Sequence, residues 1–277
     1  MASQITLKQA KVGADSDSIF SILNEYISPT SSTTAPKAVA AFTGRDDRTY
    51  DEAFMWEFWK NIISVAEQLP HDHPAQDKVV AFVRELTLVP DTGVKVWDQR
   101  VWTDLPILNA AIREHLNEPR VPDDAEERKQ LTKRRVNFFA FEARLLHAGI
   151  YFSENTPVWM LRAALEEEGI TSKESAGDGP FERALMIAAV YIEYAGPTLV
   201  RLLEVNSEQA LDERQKRMLR GGELFKGPSG LSGDRWAFWT TRFGELGEKA
   251  TGEARDMAVR AARLMEVWSR ATKGESK

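Results

Sequence analysis

Apolar side chains along this chain recur at three- and four-residue intervals, the spacing that lines one face of an α-helix. The clearest stretch is 50–69. There Met55, Phe58, Trp59, Ile62, Ile63, Ala66 and Leu69 form one stripe, while Glu57, Lys60, Asn61 and Glu67 mostly face away from it. Thr49 with Glu52 three residues on reads as a capping box at its start. An earlier helix is expected over 17–27, with Ile19, Ile22, Leu23 and Tyr26 inward. It ends before Pro29, because a residue preceding proline avoids the α region. Residues 28–48 are rich in Ser, Thr and Pro and close on Gly-Arg-Asp-Asp-Arg, a composition that predicts a flexible loop.

The pattern continues downstream. Pro74, well tolerated in a first turn, opens a helix with Val79, Val80, Phe82, Val83 and Leu86 on its apolar side, ending near Pro90. Pro106 opens a short helix over 105–116. After the Pro/Asp-rich turn 117–124, a longer helix runs to His147, where Gly149 supplies a left-handed stop. Thr156 and Pro157 supply an N-cap and first-turn proline for 158–168, which Gly169 ends. Residues 180–205 are apolar on nearly every side through Ala195, the pattern of a helix in the middle of a fold, with a kink expected at Gly196-Pro197. Residues 207–220 are mostly charged and predict a surface helix closed by Gly221 and Gly222. Trp236, Trp239, Phe243 and Leu246 mark one more helix. Ala254, Met257, Ala258, Ala261, Leu264, Met265 and Trp268 mark the last, with the break at Thr251 and Gly252.

Only residues 94–97 alternate like a strand, too few to build a sheet, so they read as loop or hairpin. The expectation is an all-α, irregular multi-helix bundle of nine or ten helices. It spans 1–277 as one compact domain, with 28–48 a flexible loop and 270–277 a disordered tail. No repeat of fixed period appears.

Composition narrows the classes. A net charge of -6 argues against a non-specific nucleic-acid surface, which needs clustered Lys and Arg to release counterions. With no cysteine in 277 residues, disulfides, thiolate nucleophiles and iron-sulfur ligation are removed together, which fits a cytoplasmic protein. The first dozen residues lack the unbroken apolar core of a secretory signal. The most apolar stretch, 184–203, is interrupted by Glu193, Gly196, Pro197 and Arg201, so no membrane span is expected.

Several blocks carry a resemblance: Phe58-Trp59 through Leu69-Pro70, His73-Pro74 with Gln76-Asp77-Lys78, Trp102-Thr103-Asp104-Leu105-Pro106, the run 137–145, and Arg235-Trp236-Ala237-Phe238-Trp239. From about Trp56 to Phe243 the chain resembles a large family of fungal proteins catalogued only as a domain of unknown function. That resemblance implies a filamentous-fungal source and a helical fold. Its blocks are aromatic and structural, and it brings no active site with it.

Candidate chemistry is sparse. His71, Asp72 and His73 before Pro74 hold two imidazoles, but capping a helix start is the simpler use, and no metal is expected. Asn137, Arg144 and His147 fall along one side of a helix that also carries Phe138, Phe139, Phe141, Leu145 and Leu146. Such groups suit the polar end of a ligand, against the plainer reading as a watered face or backbone anchors. Glu142, near Arg135 and Phe138, reads as an ion-pair partner. Tyr191, Glu193 and Tyr194 precede the expected kink, where a desolvated carboxylate takes up general acid or base work; ordinary packing is the alternative. Trp97, Trp102, Trp236 and Trp239 lie near loops or helix starts, as pocket-lining aromatics do, although filling gaps between helices is the plainer account of them. The glycine-rich loop 226–233 lacks the spacing and preceding strand of a phosphate-binding loop, and no nucleophile elbow, dinucleotide fingerprint or Asp-Asp-x-x-Asp run is present.

Two readings follow. The first is a helical protein with an aromatic-lined pocket for a small apolar metabolite of fungal secondary metabolism, extending to cyclisation or isomerisation. Its catalytic candidates are Glu193, Tyr191, Arg144 and His147, and its ligand-binding candidates are Trp102, Asn137, Phe141, Arg144, Trp236 and Trp239. No cofactor is expected. The second is a non-enzymatic interaction or scaffold protein, resting on the charged helix near 207–220. Neither reading fixes an oligomeric state.

Overall fold

In a computed structural model the described residues are 5–9, 16–44, 49–117, 119–151, 153, 155–168, 179–205 and 211–274. They are helical apart from turns, loops and one two-stranded hairpin, which makes the protein all-α. Two compact units, Met1–Val121 and Pro122–Lys277, each gather their own contacts.

The first unit holds α1 (Ser16–Ile27), α2 (Ala35–Thr43), α3 (Glu52–Gln68), α4 (Ala75–Leu86) and α5 (Leu108–Leu116), with β1 (Lys95–Val96) and β2 (Gln99–Arg100) between the last two. Helix α3 packs against α1, α4 and α5. Its predicted stripe is buried, with Met55, Trp59, Ile62, Ile63, Ala66 and Leu69 sealed from solvent, but Asn61 and Glu67, expected on the watered side, are buried as well. Polar side chains tie the helices where backbone groups would go unmet. The Trp59 indole donates to the Pro106 carbonyl at 2.7 Å, and Gln76 donates to the carbonyls of Ala66 and Leu69 at 3.0 and 2.9 Å. Lys78 Nζ reaches the carbonyls of Tyr26, in the last turn of α1, and Ser28, just past it, at 3.1 and 3.2 Å.

Three expectations are corrected in this unit. The loop expected over 28–48 contains α2: proline stands in its first turn, and Ala38, Val39 and Phe42 are buried at helical spacing. Phe42 stacks on Phe58 at 5.1 Å, so tertiary packing overrides the Ser/Thr-rich composition. The cap of α3 is Asp51, whose carboxylate accepts from the Phe54 N–H at 2.8 Å, and not the Thr49–Glu52 box. Helix α5 begins at Leu108 rather than near Pro106, because Leu105 and Ile107 have φ of 50° and 68°, outside the helical region. The strand-like residues near 94–97 do form a hairpin: Lys95 pairs with Arg100 and Val96 with Gln99, and Trp97 and Asp98 turn the chain with φ of 53° and 60°. Positive φ at both corner positions matches the twist of such tight turns.

The second unit holds α6 (Ala125–His147), α7 (Asn155–Leu165), α8 (Pro180–Val205), α9 (Glu213–Met218), α10 (Gly233–Lys249) and α11 (Gly252–Gly274). Helix α8 is central, as its all-round apolarity predicts, and packs against α6, α7 and α11. By length and hydropathy its segment Pro180–Leu203 resembles a membrane-crossing helix, but most of that window is buried against its neighbours. Helix α8 runs on through Pro197 to Val205. At Gly196 a side chain of α11 comes up against the α8 backbone: a Cβ there would fall 1.8 Å from the Trp268 ring, which real atoms never allow. Gly149 adopts the left-handed φ of 69° expected of a helix stop.

Other boundaries shift. Thr156 lies inside α7 rather than capping it, and the expected stop at Gly169 lies outside the described residues. The surface helix expected over 207–220 is described only as α9, opened by an Asp212–Gln215 capping box and ended at Leu219, short of Gly221; residues 206–210 lie outside the description. Helix α11 continues to Gly274, so residues 270–274 are helical rather than part of a tail, and 275–277 lie outside the described residues.

Candidate functional site

The middle of α6 is buried on every side from Arg135 to Leu146, because α8 covers one flank and few polar residues interrupt the aromatic run. Glu142 is the only carboxylate in that stretch and has no exposed surface. The Tyr191 hydroxyl of α8 donates to its Oε2 across a very short contact. Oε1 has no hydrogen bond. The hydroxyls of Thr156 on α7 and Tyr151 in the preceding loop act on the same carboxyl, and Tyr151, Ser153 and Thr156 lie within 3.0–3.5 Å of one another through Thr156 Oγ1.

Electrostatics follow from this enclosure. Loss of water dominates and pushes the Glu142 carboxyl up to about 8, against the opposing pull of the Tyr191 donor, the nearby hydroxyls of Thr156 and Tyr151 and the Arg135 charge. Near neutral pH the group is therefore mostly a carboxylic acid. Burial raises Tyr191 well above the usual phenol range, and the neighbouring Glu142 adds to the rise. Arg135 itself lies over the Phe139 ring at 4.8 Å. The arrangement is a proton donor held in a dry, aromatic setting among three hydroxyls, which suits general acid work.

A second buried carboxylate is built differently. Glu166, just past α7, meets Arg235 at the start of α10 with Nε to Oε1 at 2.6 Å and Nη2 to Oε2 at 3.0 Å, both side chains fully buried. Trp239 donates to Oε1 at 2.6 Å and the Gly222 N–H to Oε2 at 2.7 Å. The remaining Arg235 donors go to the carbonyls of Leu219, Gly230 and Arg220. All five guanidinium N–H groups are thus used, and the loop 219–232 is folded around them. Nothing in this network is left to meet a ligand.

The residues singled out from sequence separate accordingly. Tyr191 joins the Glu142 cluster, and Phe141 is buried in the same stretch of α6. Glu193 points elsewhere: it pairs with Arg260 of α11 at 2.9 Å, at an exposed edge, so it is not the desolvated acid of the kink. Arg144 is buried with its guanidinium 3.5 Å from the Tyr194 ring and a bond to the Ala140 carbonyl at 3.2 Å. Asn137 is buried, whereas His147 is exposed and meets Thr198 Oγ1 at 3.1 Å. Trp239 belongs to the Glu166 network, and Trp236 donates to Ser269 Oγ at 3.0 Å. Trp102 lies in the first unit, ringed by Phe42, Tyr50, Phe54 and Phe58, with no hydrogen bond at its indole nitrogen. His73 caps α4, its Nδ1 accepting from the Ala75 N–H at 3.1 Å. No group of three potential metal ligands occurs among the described residues.

Sequence reasoning reached Tyr191 but assigned Glu142 to an ion pair and passed over Tyr151 and Thr156. The available signal was a lone acid inside eleven positions, 136–146, otherwise almost free of charge. No curated protein and no solved structure matches the chain. The model of one family, described as "Protein of unknown function (DUF3632)", matches residues 59–243, and the chain belongs to that family.

Proposed function

We propose that the second unit binds a small, largely apolar molecule and acts on it by proton transfer at Glu142, as an isomerase or cyclase does. The observation that carries this reading is a fully buried carboxyl with one oxygen unbonded, set among the hydroxyls of Tyr191, Tyr151 and Thr156. A structural carboxylate is expected to have its oxygens satisfied, as Glu166 does. In the proposed cycle Glu142 gives its proton to a substrate carbonyl oxygen and takes one back from substrate carbon, so no proton is gained or lost overall. The Tyr191 hydroxyl supports the carboxylate between the two transfers. Phe138, Phe139 and Phe141 supply aromatic surroundings in which charge development is strongly felt. In this reading the setting is the cytoplasm of a filamentous fungus, in secondary metabolism, with no cofactor required.

The test is proton exchange. Incubated in heavy water with cyclic ketones and enones, the protein is expected to speed deuterium uptake beside the carbonyl, followed by proton NMR, and Glu142→Gln is expected to abolish it. A protein that neither exchanges these protons nor gains thermal stability with any of the probes would overturn the proposal.

A further inference from the structure

The first unit contains a half-open groove of about 420 Å³, within the size range of small-molecule sites. One wall is the last turn of α1 and the loop after it, which presents Asn24, Glu25 and the hydroxyls of residues 28 and 30–33. Apolar surface comes from Ile5 and the edge of Ile27. The loop is shaped by its own side chains: Ser28 and Thr30 hydroxyls meet at 3.1 Å, Ser31 Oγ accepts from the Thr33 N–H at 3.2 Å, and Thr33 donates to Glu25 at 3.4 Å.

The opposite wall is held by an unusual clasp. Gln68 at the end of α3 grips the backbone of Lys8 from both sides, its Oε1 accepting from the Lys8 N–H at 2.6 Å and its Nε2 donating to the Lys8 carbonyl at 2.8 Å. The amide thus pairs with residue 8 as a neighbouring strand would, three residues along the chain from Ile5 in the groove.

Charge selects the ligand. Glu25 is the one acidic side chain in the lining and no Lys or Arg joins it; the one imidazole there, His73, turns its Nδ1 to the Ala75 N–H. Lys78, the nearest described cation of α4, is held by the carbonyls of Tyr26 and Ser28. The first N–H of α4 is already capped by His73, and Asp77 occupies its first turn, so an anion finds little welcome. We propose that this groove is a binding site for a small polyhydroxylated amine of the amino-sugar class, its hydroxyls met by the Ser/Thr loop, its ammonium by Glu25, and its C–H face by Ile5 and Ile27. The site is separate from the Glu142 cluster and stands or falls independently of it.

Calorimetric titration and saturation-transfer NMR with glucosamine, glucose and glucose 6-phosphate test this, at mildly acid pH where the amine is protonated. Glucosamine is expected to bind about three- to fivefold more tightly than glucose, the most an exposed ion pair supplies, and the phosphate ester most weakly. Glu25→Gln, at an exposed position that tolerates the change, is expected to bring glucosamine down to the level of glucose. Gln68→Ala is expected to weaken both neutral and cationic sugars alike by loosening the Ile5 wall. Absence of binding by all three probes, a preference for the phosphate ester, or a glucosamine preference that survives Glu25→Gln would each overturn the proposal.

Discussion

Glu142 and Glu166 are equally hidden from water, yet the fold treats them in opposite ways. Around Glu166 every oxygen lone-pair direction is used: two by Arg235, one by Trp239 and one by a backbone N–H. Around Glu142 only Oε2 has a hydrogen bond, and the proton stays on the carboxyl up to about pH 8. Burying a charge is tolerable when its partners are complete, and otherwise the group is driven neutral. The first carboxylate is thus a fastening for a loop, and the second is a store of one proton.

Mutations that separate the two follow in order of size. Arg235→Met leaves Glu166 as an uncompensated buried charge, and urea unfolding is expected to show a loss of about 3–5 kcal/mol. A loss under 1 kcal/mol would mean that the network does not fasten the loop. Tyr191→Phe removes the donor that Glu142 has on α8 and is expected to cost about 1–3 kcal/mol by the same measurement.

Glu142→Gln is expected to change stability by about 1 kcal/mol or less below pH 4.5, where both side chains are uncharged in the folded and the unfolded chain, and to leave the variant the more stable protein at neutral pH, where only the unfolded wild type ionises. Its signature is the pH profile. The folded pKa of about 8 lies above the ordinary 4.5, so the contribution of Glu142 is fully present below 4.5 and lost as pH rises through 8. The wild-type urea midpoint is expected to fall across that window and the variant's to fall less; parallel profiles would remove the raised pKa from the picture. Glu193→Gln, which breaks only an exposed pair with Arg260, is expected to cost less than about 1 kcal/mol and serves as the surface reference.

What could be read from the sequence follows its physics. Helices α3 and α8 were legible because long runs with a clear period outweigh local composition. Helix α2 was not: only Ala38, Val39 and Phe42 signal it, and what orders them is contact with Phe58 and Trp102, residues distant in the chain. The start of α5 was hidden for a similar reason, since left-handed φ at Leu105 and Ile107 is imposed by packing and contradicts their intrinsic preference. At the candidate site, the turn geometry of α8 sends Tyr191, Glu193 and Tyr194 to three different neighbours: Glu142, Arg260 and Arg144. Their nearness in sequence points to one site, and only the individual side chains they meet on α6 and α11 separate them. Glu166 and Arg235 are 69 residues apart, a separation across which no local pattern reports a pairing.

The missing methyl at Gly196 also determines how the last helix is seated. With the far end of the Trp268 indole set into the space that a Cβ at residue 196 would fill, α11 is seated on α8 at a point where the backbone carries no side chain. A chain cut short just ahead of residue 268 would keep the keyhole, and free indole would be the natural molecule to fit it and restore part of the lost stability.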